Sequence, residues 1–172
     1  MKKHSGMRPH DIVVLLKIAA KGDQKWLMKD LSYELNISAS EISESINRSK
    51  IAGLIAPNKK SIMRLALIDF LEYGIRYVYP QQPGAIVRGI PTAHSGPPLN
   101  KIIASEEHYV WPYAKGEKRG QSIEPLYISV VEAVLKDRKL YELLSLVDAI
   151  RVGRAREKVI AIKELKIRIK IL

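Results

Sequence analysis

The chain has 172 residues, 47% hydrophobic and 27% charged, enough to bury a real core in one ordinary domain or two small ones. It contains no cysteine, which excludes disulfide frameworks, cysteine nucleophiles and thiolate zinc sites, and no apolar run approaches the ~18 residues of a membrane span. The net charge of +11 is concentrated at the ends: residues 1–60 carry eleven Lys/Arg against six Asp/Glu, residues 61–149 ten of each, and residues 150–172 eight against two. A basic balance of this size favours a polyanionic partner, most often nucleic acid. Lys2, Lys3 and His4 are not followed by a signal-type apolar stretch before Pro9, so the expected address is the cytoplasm.

Pro9 opens a helical pattern with Ile12, Leu15, Leu16 and Ala19 at core spacing, and Gly22 stops it. A second helix is expected from about Leu27 to Leu35 and a third from about Ser38 to Ala52. Pro57-Asn58-Lys59-Lys60 reads as a turn. Ser61 is the expected cap of a fourth helix with an apolar face of Ile62, Leu65, Ile68 (or Phe70) and Leu71, ending near Gly74.

Residues 76–125 have a different texture. Eight of the nine prolines fall between Pro57 and Pro125, which predicts extended or looped chain. This stretch holds a near-repeat. Tyr77-Val78-Tyr79-Pro80, Gly84 and Arg88-Gly89 are echoed by Tyr109-Val110-Trp111-Pro112, Gly116 and Arg119-Gly120. Each copy reads as an aromatic strand, a turn and a return to Arg-Gly. Two such units could pair with each other as edge strands, since each strand closes on a proline.

Helix returns at Ser129, which has capping-box spacing to Glu132. A break at Asp137 to Lys139 precedes a stripe of Leu140, Leu143, Leu144, Val147 and Ile150. Gly153 interrupts, and a basic helix follows. Leu165, Ile167, Ile169 and Ile171 then alternate with Lys166, Arg168 and Lys170, a strand period.

The chemistry concentrates in residues 31–46. Leu31 and Leu35 face the first helix, and Ser32 is small enough for two helices to cross closely. Asn36 tolerates the left-handed backbone of a three-residue turn. Ile37 plugs the angle between the helices, and Ile42 and Ile46 bury the inner face of the third helix. Ala39, Ser40, Ser43, Glu44 and Asn47 are left outward, a polar surface suited to a major groove. Ser38 caps that helix, in a capping box with Glu41. Glu44 has two roles open to it: an ion pair with Arg48 four residues on, or acceptance from a cytosine amino group.

With Gly53-Leu54-Ile55 as its exit, this run resembles the helix-turn-helix of winged-helix transcriptional regulators of the MarR-like family, over roughly residues 9–56. The resemblance implies sequence-specific binding of double-stranded DNA by a transcriptional regulator. Ser38, Ala39, Ser40, Ser43, Glu44 and Asn47 would lie at the bases, with Arg48, Lys50, Lys59 and Lys60 beside them. In that family a two-stranded hairpin follows the third helix. Here Leu54-Ile55 is a candidate first strand, but Ser61 is expected to begin a helix instead. The alternative for the helical hairpin itself is packing or dimerisation.

Arg151, Arg154 and Arg156 are further phosphate candidates, or else a solvated helix face. His94-Ser95 sits in a Gly/Pro loop without a triad, and the four histidines show no metal-ligand spacing. No catalytic residue, metal or cofactor is therefore assigned.

The expected fold is mostly α with minor β (α+β). A helix-turn-helix domain spans 1–60 and a C-terminal dimerisation or interaction region spans 61–172, with helices over 129–164. The expected partners are DNA and a second copy of the chain; the 140–150 stripe is open to cover by the aromatic strands, by the fourth helix or by that second copy, the last favoured for part of it. The alternative function is an antitoxin-like module whose C-terminal region binds a protein partner.

Overall fold

A computed structural model describes residues 6–171. Eight helices and three short strands occupy this span, an α+β fold. Helices α1 (Pro9–Lys21), α2 (Met28–Leu35) and α3 (Ala39–Ile51) come first. After them run α4 (Arg64–Tyr73), the single turn α5 (Ile75–Val78), and strands β1 (Ile86–Pro91), β2 (Tyr109–Pro112) and β3 (Lys118–Ser122). The chain closes with α6 (Val130–Lys136), α7 (Arg138–Val152) and α8 (Ala155–Arg168).

Several helices begin on a carboxylate that takes up an otherwise unpaired backbone N–H. Asp11 accepts from the Arg8 amide at 2.8 Å and Asp30 from the Leu27 amide at 2.8 Å. Asp137, the break between α6 and α7, accepts from the Leu140 amide at 3.0 Å. Glu157 accepts from the Arg154 amide at 2.9 Å.

Helix α7 lies at the centre, touching α1, α4, α5, α6, α8 and the 3-10 turn at 93–95. One continuous apolar core runs from Ile12 and Leu16 of α1 through Ile42 and Ile46 of α3 to Leu143 and Val147 of α7. Residues before and after position 60 thus share that core. Leu140, Leu143, Leu144, Val147 and Ile150 are all buried within the chain itself. The stripe therefore needs no second subunit, contrary to expectation.

The three strands close on one another. β1 runs antiparallel to both β2 and β3, which are mutually parallel. The near-repeat is used asymmetrically. Tyr109–Pro112 is β2, but Tyr77 and Val78 belong to α5. The two copies do pair, through their Arg-Gly halves, with Arg88 opposite Arg119. Burial of Ile75 against the core, one turn after Leu71, continues the helical face into that segment.

Four more expectations fail locally. Ser61 does not cap α4, because its carbonyl accepts from the Ala56 amide at 2.8 Å in a hairpin and the helix begins at Arg64. Leu65 faces solvent, and the buried face of α4 is Leu67, Ile68 and Leu71. Ser129 stands at the start of α6 but its hydroxyl caps nothing. The alternating tail is helical through Arg168, because Ala161, Leu165 and Ile169 are buried at four-residue intervals while Ile167 points outward. Among the described residues, no helix is long and apolar enough to cross a membrane.

Candidate nucleic-acid interface

The turn between α2 and α3 is built as its residues dictate. Leu31, Leu35, Ile37, Ile42 and Ile46 are buried and draw the two helices onto α1. Asn36 ends α2 in the left-handed region, at φ 52° and ψ 46°. Ser32 adds a tie beyond its small size: its hydroxyl donates to the Ile37 carbonyl at 2.6 Å and pins the turn. Ser38 Oγ accepts from the Glu41 amide at 3.2 Å and starts α3.

Ser38, Ala39, Ser40, Glu44 and Lys50 are exposed, while Ser43 and Asn47 are half-buried. Ser40, Ser43, Glu44 and Asn47 fall at helical spacing and share one side of α3. The exposed N-terminal turn adds the positive end of a thirteen-residue helix.

Glu41 and Arg48 are not part of this surface. Arg48 is buried, donating through Nε to Asp11 Oδ2 at 2.8 Å, through Nη2 to Asp11 Oδ1 at 2.8 Å, and to Glu41. Asp11 foremost holds the Arg48 guanidinium in its charged form more firmly than usual, against the cost of burial. Burial pushes the Glu41 carboxyl up, but its bonds to Arg48 and His10 outweigh that and hold it below the ordinary range. Of the two roles open to Glu44, the ion pair with Arg48 does not form, since Arg48 is spent on α1, and Glu44 stands outward. His10, Asp11 and Glu41 bring potential ligand atoms within 4.8 Å of one another. Arg48 Nη2 reaches all three, so what they hold is an arginine.

After α3 the chain makes a short hairpin. Ile55 pairs with Ile62, and the Met63 amide donates to the Leu54 carbonyl at 3.0 Å. Asn58 Oδ1 closes its tip, accepting from the Lys60 amide at 2.9 Å and the Ser61 amide at 3.2 Å. A hairpin therefore stands where a helix starting at Ser61 leaves room for none. Its two tip cations are anchored. Lys59 Nζ donates to Asn47 Oδ1 at 2.6 Å, tying the hairpin to α3. Lys60 Nζ donates to the Trp26 carbonyl at 3.2 Å and sits 4.2 Å from the centre of the Trp26 ring.

The α7–α8 candidates divide. Arg151 is buried and donates to Asp148 Oδ1 at 2.8 Å and to the carbonyls of Tyr79 and Glu124. Asp148 also accepts from Thr92 and from the Trp111 indole, so Arg151 belongs to an internal network joining α7 to the sheet. Arg154, just before α8, is exposed and 3.2 Å from Glu107, and Arg156 is exposed in the first turn of α8. Sequence reasoning passed over Lys29 and Tyr33, both exposed on α2. An aromatic residue between the inward Leu31 and Leu35, on the outward side, was the available clue.

Comparison with family models, with characterised proteins and with solved structures finds no match to this chain.

Proposed function

We propose that the protein binds double-stranded DNA in a sequence-specific manner and regulates transcription, with α3 in the major groove. The observation that carries this reading is the Lys59–Asn47 bond. It joins a basic hairpin tip to the outward polar face of a tightly turned second helix, the arrangement needed to hold phosphates and bases together. Ser38, Ser40, Ser43 and Asn47 supply hydrogen-bonding groups. Lys59 engages Asn47 Oδ1, which leaves the amide nitrogen to donate to a purine acceptor. Glu44 accepts from a cytosine amino group, while Lys50, Lys59, Lys60 and Tyr33 approach the backbone. Palindromic half-sites follow if two copies pair through a surface other than the buried α7 stripe.

Selection of bound sequences from a random duplex pool, followed by titration across a salt series, tests the reading. The expected result is a single enriched motif and a steeply negative log-log salt slope. Ser43→Ala with Asn47→Ala should lower discrimination by roughly 1–3 kcal/mol per lost base contact. A pool that stays random, with no binding at low salt, removes the proposal.

A further inference from the structure

The repeated Arg-Gly dipeptides play no part in the α3 reading, yet the fold brings them together. Arg88 on β1 lies directly opposite Arg119 on β3, flanked by Val87 opposite Gly120 and Gly89 opposite Lys118. Residues directly opposite in an antiparallel pair project from the same face, and like charges so placed repel. Arg88, Lys118 and Arg119 are exposed, as is Lys115 in the preceding loop. Arg88 Nη1 donates to the Gly116 carbonyl at 3.2 Å. Among the described residues, none of these four cations has a carboxylate within ion-pair distance, although Glu117 lies between two of them in sequence.

The backbone beneath is held close by glycine. A Cβ at Gly89 would meet the Trp111 carbonyl oxygen at 2.0 Å, and one at Gly120 the His108 carbonyl oxygen at 2.4 Å. These contacts seat both β1 and β3 against residues 108–111, so the backbones that carry the two arginines are each fixed on the same support. The sheet also borders the helix-turn-helix. The Tyr113 amide donates to the Arg88 carbonyl at 3.0 Å, and Tyr113 and Pro112 line one shallow groove with Asn36, the turn residue that leads into α3.

We propose that the Arg88–Arg119 strand pair is a second phosphate-binding surface, gripping the backbone of the duplex beside the segment read by α3. The polyanion's identity as duplex DNA rests on the function proposed above. Two exposed arginines side by side on one face match a ligand whose negative charges repeat along a chain.

The test uses the full chain and two duplexes, one carrying the selected motif and one scrambled, titrated across salt. For Arg88→Gln with Arg119→Gln, two lost phosphate contacts should flatten the log-log slope by about 1.8 on both duplexes. Discrimination between the duplexes should stay at the wild-type ratio. Arg88→Lys with Arg119→Lys should keep the wild-type slope, and a flattened slope in this charge-preserving variant overturns the proposal by showing that the arginines act through the fold. An unchanged slope in the Gln variant overturns it too, and leaves the α3 reading standing if Ser43→Ala with Asn47→Ala still lowers discrimination. A flattened slope with discrimination indifferent to the Ser43 and Asn47 changes supports the sheet and rejects α3 as reader. A wild type that binds neither duplex overturns both.

Discussion

Arg48 separates a structural cation from a DNA contact, and its removal should be costly. Its side chain is 7% exposed and that of Asp11 fully buried. Arg48→Ala would leave the Asp11 carboxylate with the Arg8 amide but without its arginine. Removing one partner of a buried ion pair typically costs about 3–5 kcal/mol. That is a large share of the ~5–15 kcal/mol by which domains are stable. At about 2–4 °C per kcal/mol for a chain of this length, Tm should fall by roughly 6–20 °C. Thermal and urea denaturation at pH 7 measure this, and repetition in 1 M salt should leave the difference nearly intact, since buried pairs are weakly screened. Asp11→Asn combined with Arg48→Ala should be more stable than Arg48→Ala alone, because the stranded charge is gone. An Arg48→Ala variant within about 1 kcal/mol of wild type, or a difference erased by salt, would refute this reasoning. Arg48 would then be solvated and available to a duplex.

The remaining expectations concern pH, the core and the turn. Lys17 lies 2.5 Å from Glu34 and 2.6 Å from Asp137. Burial pushes both carboxyls up, but their bonds to Lys17, joined by Lys21 at Glu34 and by the Leu140 amide at Asp137, prevail and hold them below the ordinary carboxylate range. Their contribution is thus full above about pH 4, the unfolded value, and is lost as pH falls through the lower folded values. Lys17→Met should flatten the acid limb of the Tm–pH curve, and superimposable curves for the two proteins would count against the pairing. Burial lowers the Lys17 value and its two carboxylate partners more than restore it, so its own contribution is full below the ordinary lysine value and is lost as pH rises from there through the raised folded value. Leu144→Ala should cost about 2–5 kcal/mol in urea unfolding. It should leave the sedimentation behaviour of the folded protein unchanged, and a fall in self-association would instead mean that α7 is shared between subunits. Asn36→Gly should be close to neutral in thermal unfolding while Asn36→Val loses about 1–2 kcal/mol, since only the latter strains a left-handed turn; equal stability of the two would deny the turn its conformation.

The sequence by itself determined whatever depends on neighbours a few residues apart. Pro9 and Gly22 bound α1, Asp137 parts α6 from α7, and the 31–46 pattern, with Asn36 at its turn, specifies two helices and the angle between them. These are matters of backbone preference and of apolar spacing, both written locally. The tertiary structure decided which charges stay in water. Arg48 and Glu44 are equally plausible as surface residues on a helical wheel, but Asp11, 37 positions away, arrives from α1 and takes Arg48 inward. Arg151 is likewise withdrawn, by Asp148 and two distant carbonyls. Tertiary packing also chose between patterns that coincide. Leu165 and Ile169 satisfy a period of two and a period of four alike, and burial beside α7 selects the helix. The Arg-Gly pairing lay beyond local reading as well, because strand register is fixed by which glycine lets which carbonyl approach, and those partners meet only in the folded sheet.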